Sequence, residues 1–335
     1  MGASPKTVSI LSLHKRGQSH LKSLLKDFSK YKNYHLKLAI DILNLKELEI
    51  ASLWQKKDPK NRSFLPRSHT GKWLWFRQAF GSQMKMHFIK EQDLCFTKYQ
   101  KTEVLDQPFF SQAIPFTKKF KDLAGIIANP VKILATPAEQ NHFFYKQNSI
   151  PVLALSLEEK EMTKQNLKIL NRFGFIFFAI SSPFKKKVYL CSEKKDSISK
   201  RFKTSNTLIF KNKKCYAFNT DWNGLKTLKE FSSHETIVWG GGGIKPILKQ
   251  ILPLAQFYSA RKAQALNKKN LTKNILIKNL IWAVGRKRMK QGCQWPPKHL
   301  KPKQVIDINY SKDSPGLEYA LKIKASYKNG YDLFK

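Results

Sequence analysis

Residues 236–244 read Thr-Ile-Val-Trp-Gly-Gly-Gly-Gly-Ile, a β-branched and aromatic run that ends in four glycines. This run predicts a buried strand over 236–239, and the pattern of residues 245–252 predicts a helix. Glycines between a strand and a helix let the backbone turn tightly and approach a pyrophosphate at the helix N-terminus. We therefore predict that Gly240, Gly242 and Gly243 bind a dinucleotide, with an ordinary flexible glycine loop as the alternative.

The residues after the next predicted strand, 256–259, indicate which dinucleotide. Arg261 and Lys262 follow it, about 20 residues after the first glycine, where the residue that contacts the adenine ribose belongs. An acidic side chain there would bond the 2′-hydroxyl of NAD, whereas cations suit the 2′-phosphate of NADP. NADP is the predicted cofactor. Arg261 carries more of this inference than Lys262, because lysine is abundant throughout the chain.

Strands and helices alternate outward from this turn, which predicts parallel sheets and an α/β fold. The predicted strands are residues 8–13, 36–40, 125–128, 152–155 and 175–180. The predicted helices are residues 18–31, 45–54 and 158–171, with another after Pro137. Residues 58–72, which are polar and contain proline, are predicted to be a loop.

Three polar clusters precede the glycine turn. They are Ser181-Ser182-Pro183-Phe184-Lys185, Ser205-Asn206-Thr207 and Asn219-Thr220-Asp221-Trp222-Asn223-Gly224. With the glycines, their order and spacing resemble the shikimate dehydrogenases. The resemblance continues upstream in Thr136-Pro137-Ala138-Glu139-Gln140-Asn141, and downstream in Asp307-Ile308-Asn309-Tyr310 and Asn329-Gly330.

The resemblance implies a substrate-binding α/β domain over residues 120–234 and a Rossmann NADP domain over 235–335. The implied reaction is hydride transfer between NADPH and the C3 carbonyl of 3-dehydroshikimate, giving shikimate. A carbonyl oxygen that becomes an alkoxide needs a proton donor, and a carboxylate can orient that donor. Lys185 would be the donor and Asp221 its partner. Without the neighbouring motifs, Lys185 would be interpreted as one more surface lysine. The remaining implied site residues are Thr136, Ser181, Asn206 and Tyr310 for the substrate, and Gly330 for the cofactor.

Several positions depart from the family pattern. Leu134 replaces a serine of the carboxylate clamp, Ala179 an asparagine, Gln140 a histidine and Pro315 a threonine, and Lys335 falls short of the last pocket glutamine. A lost hydrogen bond costs about 0.5–1.5 kcal/mol. These departures leave a second hypothesis open, a degenerate relative that binds nucleotide without catalysis.

The first 115 residues resemble the C-terminal half of a type I 3-dehydroquinate dehydratase, which forms a barrel. In that family a lysine forms a Schiff base with the ketone and a histidine moves the proton. His14 and Lys37 would hold these places at strand ends, where barrel active sites lie. We expect a partial (β/α) barrel-like remnant without useful dehydratase activity, since about half of an eight-stranded barrel is present. The alternative is an α/β extension with incidental His14 and Lys37.

The charge balance raises a third hypothesis. The chain has 62 Lys and Arg against 23 Asp and Glu, a net charge of +39, which is compatible with binding of a polyanion. The basic residues are spread along the chain instead of forming one tract, so we expect a lysine-rich surface and no nucleic-acid partner. The 4 cysteines lack metal-ligand or disulfide spacing, no membrane segment is predicted, and we expect a cytoplasmic enzyme with a small-molecule substrate and no metal.

Overall fold

The computed structural model describes residues 9–15, 20–90, 105–109, 119–129, 150–181, 183–265, 277–309 and 314–330. Contacts divide the chain into two units. The first contains Met1–Phe184 and Ile209–Cys215, and the second contains Lys185–Leu208 and Tyr216–Lys335. The domain boundaries at residues 115–120 and 234–235 rest on sequence likeness and stay predictions.

The first unit begins with a three-stranded parallel sheet of order β1-β2-β3. Its elements are β1 (Ile10–Lys15), α1 (Leu21–Phe28), β2 (His35–Asp41), α2 (Leu45–Lys56), β3 (Arg62–Arg67) and α3 (Leu74–Phe80). Side chains alternate between the faces of a strand, so the buried Leu36, Leu38 and Ile40 share one face of β2. Lys37 belongs to the opposite face.

Strand β3 corrects the prediction of a loop over residues 58–72. Phe64 and Leu65 are buried, and the backbone pairs with β2 from Leu36 to Asp41. The flanking arginines and Pro66 give this segment the polar, proline-containing pattern that predicted a loop. Proline lacks an N–H group, which an edge strand tolerates on its unpaired side, and β3 lies at the edge of its sheet.

A second sheet begins in the same unit with β4 (Leu123–Ala128), β5 (Val152–Ser156) and β6 (Phe175–Ile180), with α4 (Lys164–Arg172) between the last two. Strand β4 is buried along its whole length and pairs in parallel with both neighbours. The helix predicted from residue 158 begins later. The side chain of Thr163 caps the helix by accepting from the Asn166 N–H, and residues 159–161 form a separate 3-10 turn.

The N-terminal segment packs against this second sheet. The ring of Trp75, 1% exposed, lies 5.7 Å from that of Phe173 and 5.3 Å from that of Phe175 in β6. Two ion pairs join the same regions, Lys72 with Glu161 and Arg172 with Glu49. Residues 20–90 and 150–181 therefore share one core.

The chain continues through α5 (Lys185–Cys191), β7 (Lys194–Lys195), α6 (Ser197–Phe202), β8 (Thr207–Lys211), β9 (Lys214–Phe218) and α7 (Asp221–Leu225). The second sheet has the strand order β5-β4-β6-β8-β9-β7. Strands β8 and β9 are joined by Asn212 and Lys213, whose φ angles of 51° and 60° are those of a tight hairpin turn.

The second unit contains a six-stranded sheet of order β12-β11-β10-β13-β14-β15. Its elements are β10 (Thr236–Gly240), α8 (Lys245–Ile251), β11 (Gln256–Ser259), β12 (Gln264–Ala265), β13 (Asn279–Ala283), α9 (Arg286–Lys290), β14 (Gln304–Asp307), α10 (Pro315–Ile323) and β15 (Ser326–Lys328). Strands β10, β11, β13, β14 and β15 are parallel, and β10 lies between β11 and β13. The strand order therefore reverses at β10, which is where Rossmann sheets bind dinucleotides.

The predicted α/β class with a Rossmann-like parallel sheet is confirmed. The interpretation of the first sheet as part of a barrel stays a prediction.

Candidate functional site

Lys185 and Asp221 form an ion pair in the second unit. Lys185 Nζ lies 2.5 Å from Asp221 Oδ2, and the two side chains are 22% and 20% exposed. Lys185 opens α5 and Asp221 opens α7, so the pair joins residues 36 positions apart in the chain. Two charges that are mostly withdrawn from water interact more strongly than an exposed pair.

The second carboxylate oxygen of Asp221 is also held. Asn206 Nδ2 donates to Asp221 Oδ1 at 2.8 Å, and Asn206 Oδ1 accepts from the backbone N–H of Thr220 at 2.9 Å. The backbone N–H of Ser205 donates to the carbonyl of Lys185 at 3.0 Å. The structure thus brings together Lys185, Asn206 and Asp221, which the sequence predicted to act together.

Asn219 is a part of this arrangement to which the sequence analysis gave no role. Its buried amide donates to the carbonyl and hydroxyl oxygens of Thr204, each at 3.0 Å. Its oxygen accepts from the Asp221 N–H at 3.1 Å. Asn219 therefore fixes the backbone that aims the Asp221 carboxylate, a role that its place in the Asn-Thr-Asp cluster could have suggested.

The glycine turn follows β10 as predicted, and its four glycines serve two purposes. Gly240 and Gly241 have φ angles of 87° and 91°, a region that favours glycine. A Cβ at Gly240 would also meet Val284 Cγ2 at 2.5 Å. Gly242 and Gly243 are exposed, and a Cβ at either would meet nothing within 4 Å. The absence of side chains there leaves the backbone open to a close ligand.

Arg261 and Lys262 are exposed directly after β11. Strand β11 is the neighbour of β10, so these cations lie beyond the same carboxyl edge of the sheet as the glycine turn. Gly330 is buried, and its N–H donates to the carbonyl of Asn309 at 3.2 Å. A Cβ there would be crowded, 3.0 Å from the same carbonyl oxygen. The glycine turn and the two cations fit the pyrophosphate and 2′-phosphate of a dinucleotide.

The predicted substrate residues are only partly described. Thr136 and Tyr310 lie outside the described residues, as do the departures at Leu134 and Gln140. Ser181 is half-buried after β6, and its N–H donates to the carbonyl of Ile127 at 2.9 Å. Their contacts with a substrate stay predictions.

His14 and Lys37 project from the same face of neighbouring strands, because Lys37 pairs with Ser12 and His14 with Ala39. Burial, followed by the charges of Lys37 and Arg67, lowers the pKa of His14. Burial and then the charge of Arg77 lower the pKa of Lys37.

A segment of the chain covers this face. The ring centroid of Phe88 lies 4.4 Å from Lys37 Nζ, and the backbone N–H of Met86 donates to Ser63 Oγ at 3.1 Å. Arg77, 3% exposed, donates to the Phe88 carbonyl at 3.0 Å. The Lys37 amine is therefore covered by an aromatic ring of its own chain.

Neither a metal cluster nor a membrane-spanning helix is found in the described part. No group of three or more His, Cys, Asp or Glu side chains there could hold a metal ion. No helix among the described residues has the length and apolar character needed to cross a bilayer.

The chain is similar to known proteins in part of its sequence and in its fold. No family model matches the chain. The shikimate dehydrogenase (NADP(+)) of Syntrophobacter fumaroxidans is 29% identical over 126 residues, which are 36% of this chain and 43% of the relative. The corresponding protein of Aquifex aeolicus is 32% identical over 129 residues, 36% of this chain and 47% of the relative. The match thus spans less than half of these curated relatives.

The fold gives a longer match. The crystal structure of shikimate dehydrogenase from Aquifex aeolicus has a TM-score of 0.51 and 24% identity, covering 64% of this chain and 88% of that one. Shikimate dehydrogenase 1 of Peptoclostridium difficile has a TM-score of 0.50 and 16% identity, covering 64% and 87%. Together, the sequence matches and these fold likenesses show that the chain is similar to shikimate dehydrogenases in part of its sequence and in its fold.

Proposed function

We propose that this chain is an NADP-linked oxidoreductase that reduces 3-dehydroshikimate to shikimate. The observation that carries the proposal is the triplet Lys185, Asn206 and Asp221, in which a carboxylate accepts from an ammonium and an amide at 2.5 and 2.8 Å. A second support is the glycine turn at the reversal point of the Rossmann-like sheet. Matched relatives carry NADP(+) in their names.

The proposed proton chemistry uses two side chains. The Lys185 ammonium would donate a proton to the carbonyl oxygen as it becomes an alkoxide. Asp221 would orient that ammonium through the ion pair that joins them. Asn206 also donates to the Thr220 hydroxyl at 2.9 Å, and a ring hydroxyl of the substrate would replace that hydroxyl as its partner.

The cofactor would be held by residues of the second unit. Gly240–Gly243 would receive the pyrophosphate, and Arg261 with Lys262 would face the 2′-phosphate, since guanidinium groups bind phosphate through paired hydrogen bonds. NADPH supplies the hydride when it is bound. We further propose that Thr136, Ser181 and Tyr310 contact the substrate and that Gly330 lies beside the cofactor.

The test is a pair of measurements on the purified chain. Isothermal titration with NADPH and shikimate reports binding, and loss of NADPH absorbance with 3-dehydroshikimate reports turnover. Binding with turnover supports the proposal. Binding of NADPH without turnover supports the second candidate, a non-catalytic relative, which is favoured by Ala179 in β6 and Pro315 at the start of α10 in place of polar family residues.

Three further expectations belong to this proposal. The net charge of +39 is proposed to reflect a lysine-rich surface, and a DNA duplex titrated at two salt concentrations tests the polyanion alternative. The N-terminal segment is proposed to be a dehydratase remnant without turnover, since Phe88 covers Lys37. A cytoplasmic location is likewise proposed.

A further inference from the structure

Asp307 is a fully buried carboxylate at the carboxyl end of β14. Its Oδ1 accepts from the backbone N–H and the side-chain amide of Asn309, at 2.9 and 2.7 Å. Its Oδ2 accepts from the hydroxyls of Ser314 and Tyr327, at 2.5 and 3.1 Å. A carboxylate has about four acceptor positions. These four donors therefore use its full hydrogen-bonding capacity.

The donors come from three separate segments of the second unit. Asn309 lies in the loop after β14, Ser314 caps α10, and Tyr327 belongs to β15. The helix start also depends on the absence of a side chain, because a Cβ at Gly316 would overlap Asp307 Oδ2. One carboxylate thus links three segments through hydrogen bonds.

Asn309 extends this network to two further loops. Its amide reaches the carbonyl of Val284, after β13, at 3.3 Å, and its own carbonyl accepts from Gly330 at 3.2 Å. Val284 also touches the glycine turn, since a Cβ at Gly240 would meet it at 2.5 Å. Asp307 therefore organises the loops that follow β13, β14 and β15, at the carboxyl edge of the sheet.

The strand order indicates which half of a dinucleotide meets these loops. Strand β10, which carries the glycine turn, has β11 with Arg261 on one side and β13 with β14 on the other. A dinucleotide with its pyrophosphate at the turn and its 2′-phosphate beside Arg261 would extend its other half past β13 and β14. That other half is the nicotinamide ribose and ring.

We propose that Asp307 is a positioning residue for the nicotinamide half of the NADP site, acting through Asn309 on Val284 and Gly330. This inference rests on the proposed binding of NADP. It distinguishes the two halves of the ligand, because the described partners of Asp307 lie after β14, at the start of α10 and in β15, and not in the loop that carries Arg261.

The experiment measures dissociation constants of the full-length chain for NADP+ and for adenosine 2′,5′-bisphosphate, which lacks the nicotinamide half. Asp307→Ala and Asn309→Ala should each weaken NADP+ binding by about tenfold, as expected for a lost charged hydrogen bond, and leave the bisphosphate constant unchanged. Asp307→Asn should restore NADP+ binding. Its amide oxygen can accept from Asn309, and its NH2 group can donate to the hydroxyls of Ser314 and Tyr327.

Asn279→Ala is the matched control for Asn309→Ala. Asn279 is a buried asparagine at the amino-terminal end of β13, far from the carboxyl edge where the glycine turn lies. Its replacement should change neither dissociation constant. Circular dichroism checks the folding of each variant. If Asp307→Ala fails to fold, Asn309→Ala and Asp307→Asn decide the question.

Equal weakening of both ligands by Asn309→Ala, or weakening of neither, would overturn the positioning role while leaving the proposed function intact. Loss of NADP+ binding in Asp307→Asn would overturn the hydrogen-bonding account. A wild-type chain that binds the bisphosphate as tightly as NADP+ overturns the inference, since the nicotinamide half would then contribute nothing. A wild-type chain that binds neither ligand refutes the proposed function as well.

Discussion

Replacement of Lys185 or Asp221 should slow the proposed reaction, and the two effects should not add. The ion pair is 2.5 Å long, and its side chains are 22% and 20% exposed. If one partner is removed, water can therefore reach the other only in part. Lys185→Ala removes the proposed proton donor, and general acid catalysis is worth roughly 10²–10⁴-fold in rate. We therefore expect kcat to fall within that range.

Asp221→Asn tests the partner without changing its shape. Its amide oxygen can still accept from Asn206, but its NH2 group would then face the Lys185 ammonium, donor against donor. The loss of a hydrogen bond to a charged group is worth about 1.5–3 kcal/mol, or about 10- to 150-fold in kcat. With Lys185 already absent, Asp221 has no donor to orient. The double variant should therefore match Lys185→Ala.

The assay is NADPH absorbance with 3-dehydroshikimate at saturation, with NADP+ affinity measured separately for each variant. Lys186→Ala is the matched control, an exposed lysine at the next position in the chain, and should retain wild-type kcat. An unchanged kcat in Lys185→Ala with normal binding would refute the proton-donor role. Multiplicative losses in the double variant would refute the pairing.

Three further predictions concern other parts of the chain. Arg261→Ala should weaken NADPH binding much more than NADH binding, because only NADPH has the 2′-phosphate; equal weakening in titrations would contradict this. The chain should form no enone from 3-dehydroquinate by absorbance, and borohydride should trap a Lys37 imine more readily in Phe88→Ala than in the wild type. A Lys37-dependent enone would establish a working dehydratase instead. Burial and then the charge of Arg77 lower the pKa of His87 from 6.5 to about 4. Between these pH values the unfolded chain therefore binds a proton at His87 that the folded chain does not bind. The free energy of unfolding should therefore fall as the pH drops from 6.5 towards 4, and His87→Gln should reduce that slope; an identical slope in both proteins would contradict this assignment.

Residues whose role depends on neighbours in the chain were predictable from sequence. The strand over Gln256–Ser259 was predicted with its observed bounds, and the glycine turn lies between β10 and α8 as expected. The combination of Lys185, Asn206 and Asp221 was also predictable, but only because their motifs resemble a known family. Nothing in the local pattern of Lys185–Cys191 distinguishes Lys185 from Lys186 and Lys187.

Tertiary structure alone decided how distant segments meet. Strand β3 contains proline and flanking arginines, so its local pattern suggests a loop, yet pairing with β2 makes it a strand. Phe88 lies over Lys37 across 51 positions of sequence, and one carboxylate at Asp307 gathers donors from three segments. Periodicity reports which face of an element is buried, because that depends on local geometry. Periodicity does not identify which segment packs against that face. Any distant group that the folded chain brings close enough can cover the face and form its hydrogen bonds.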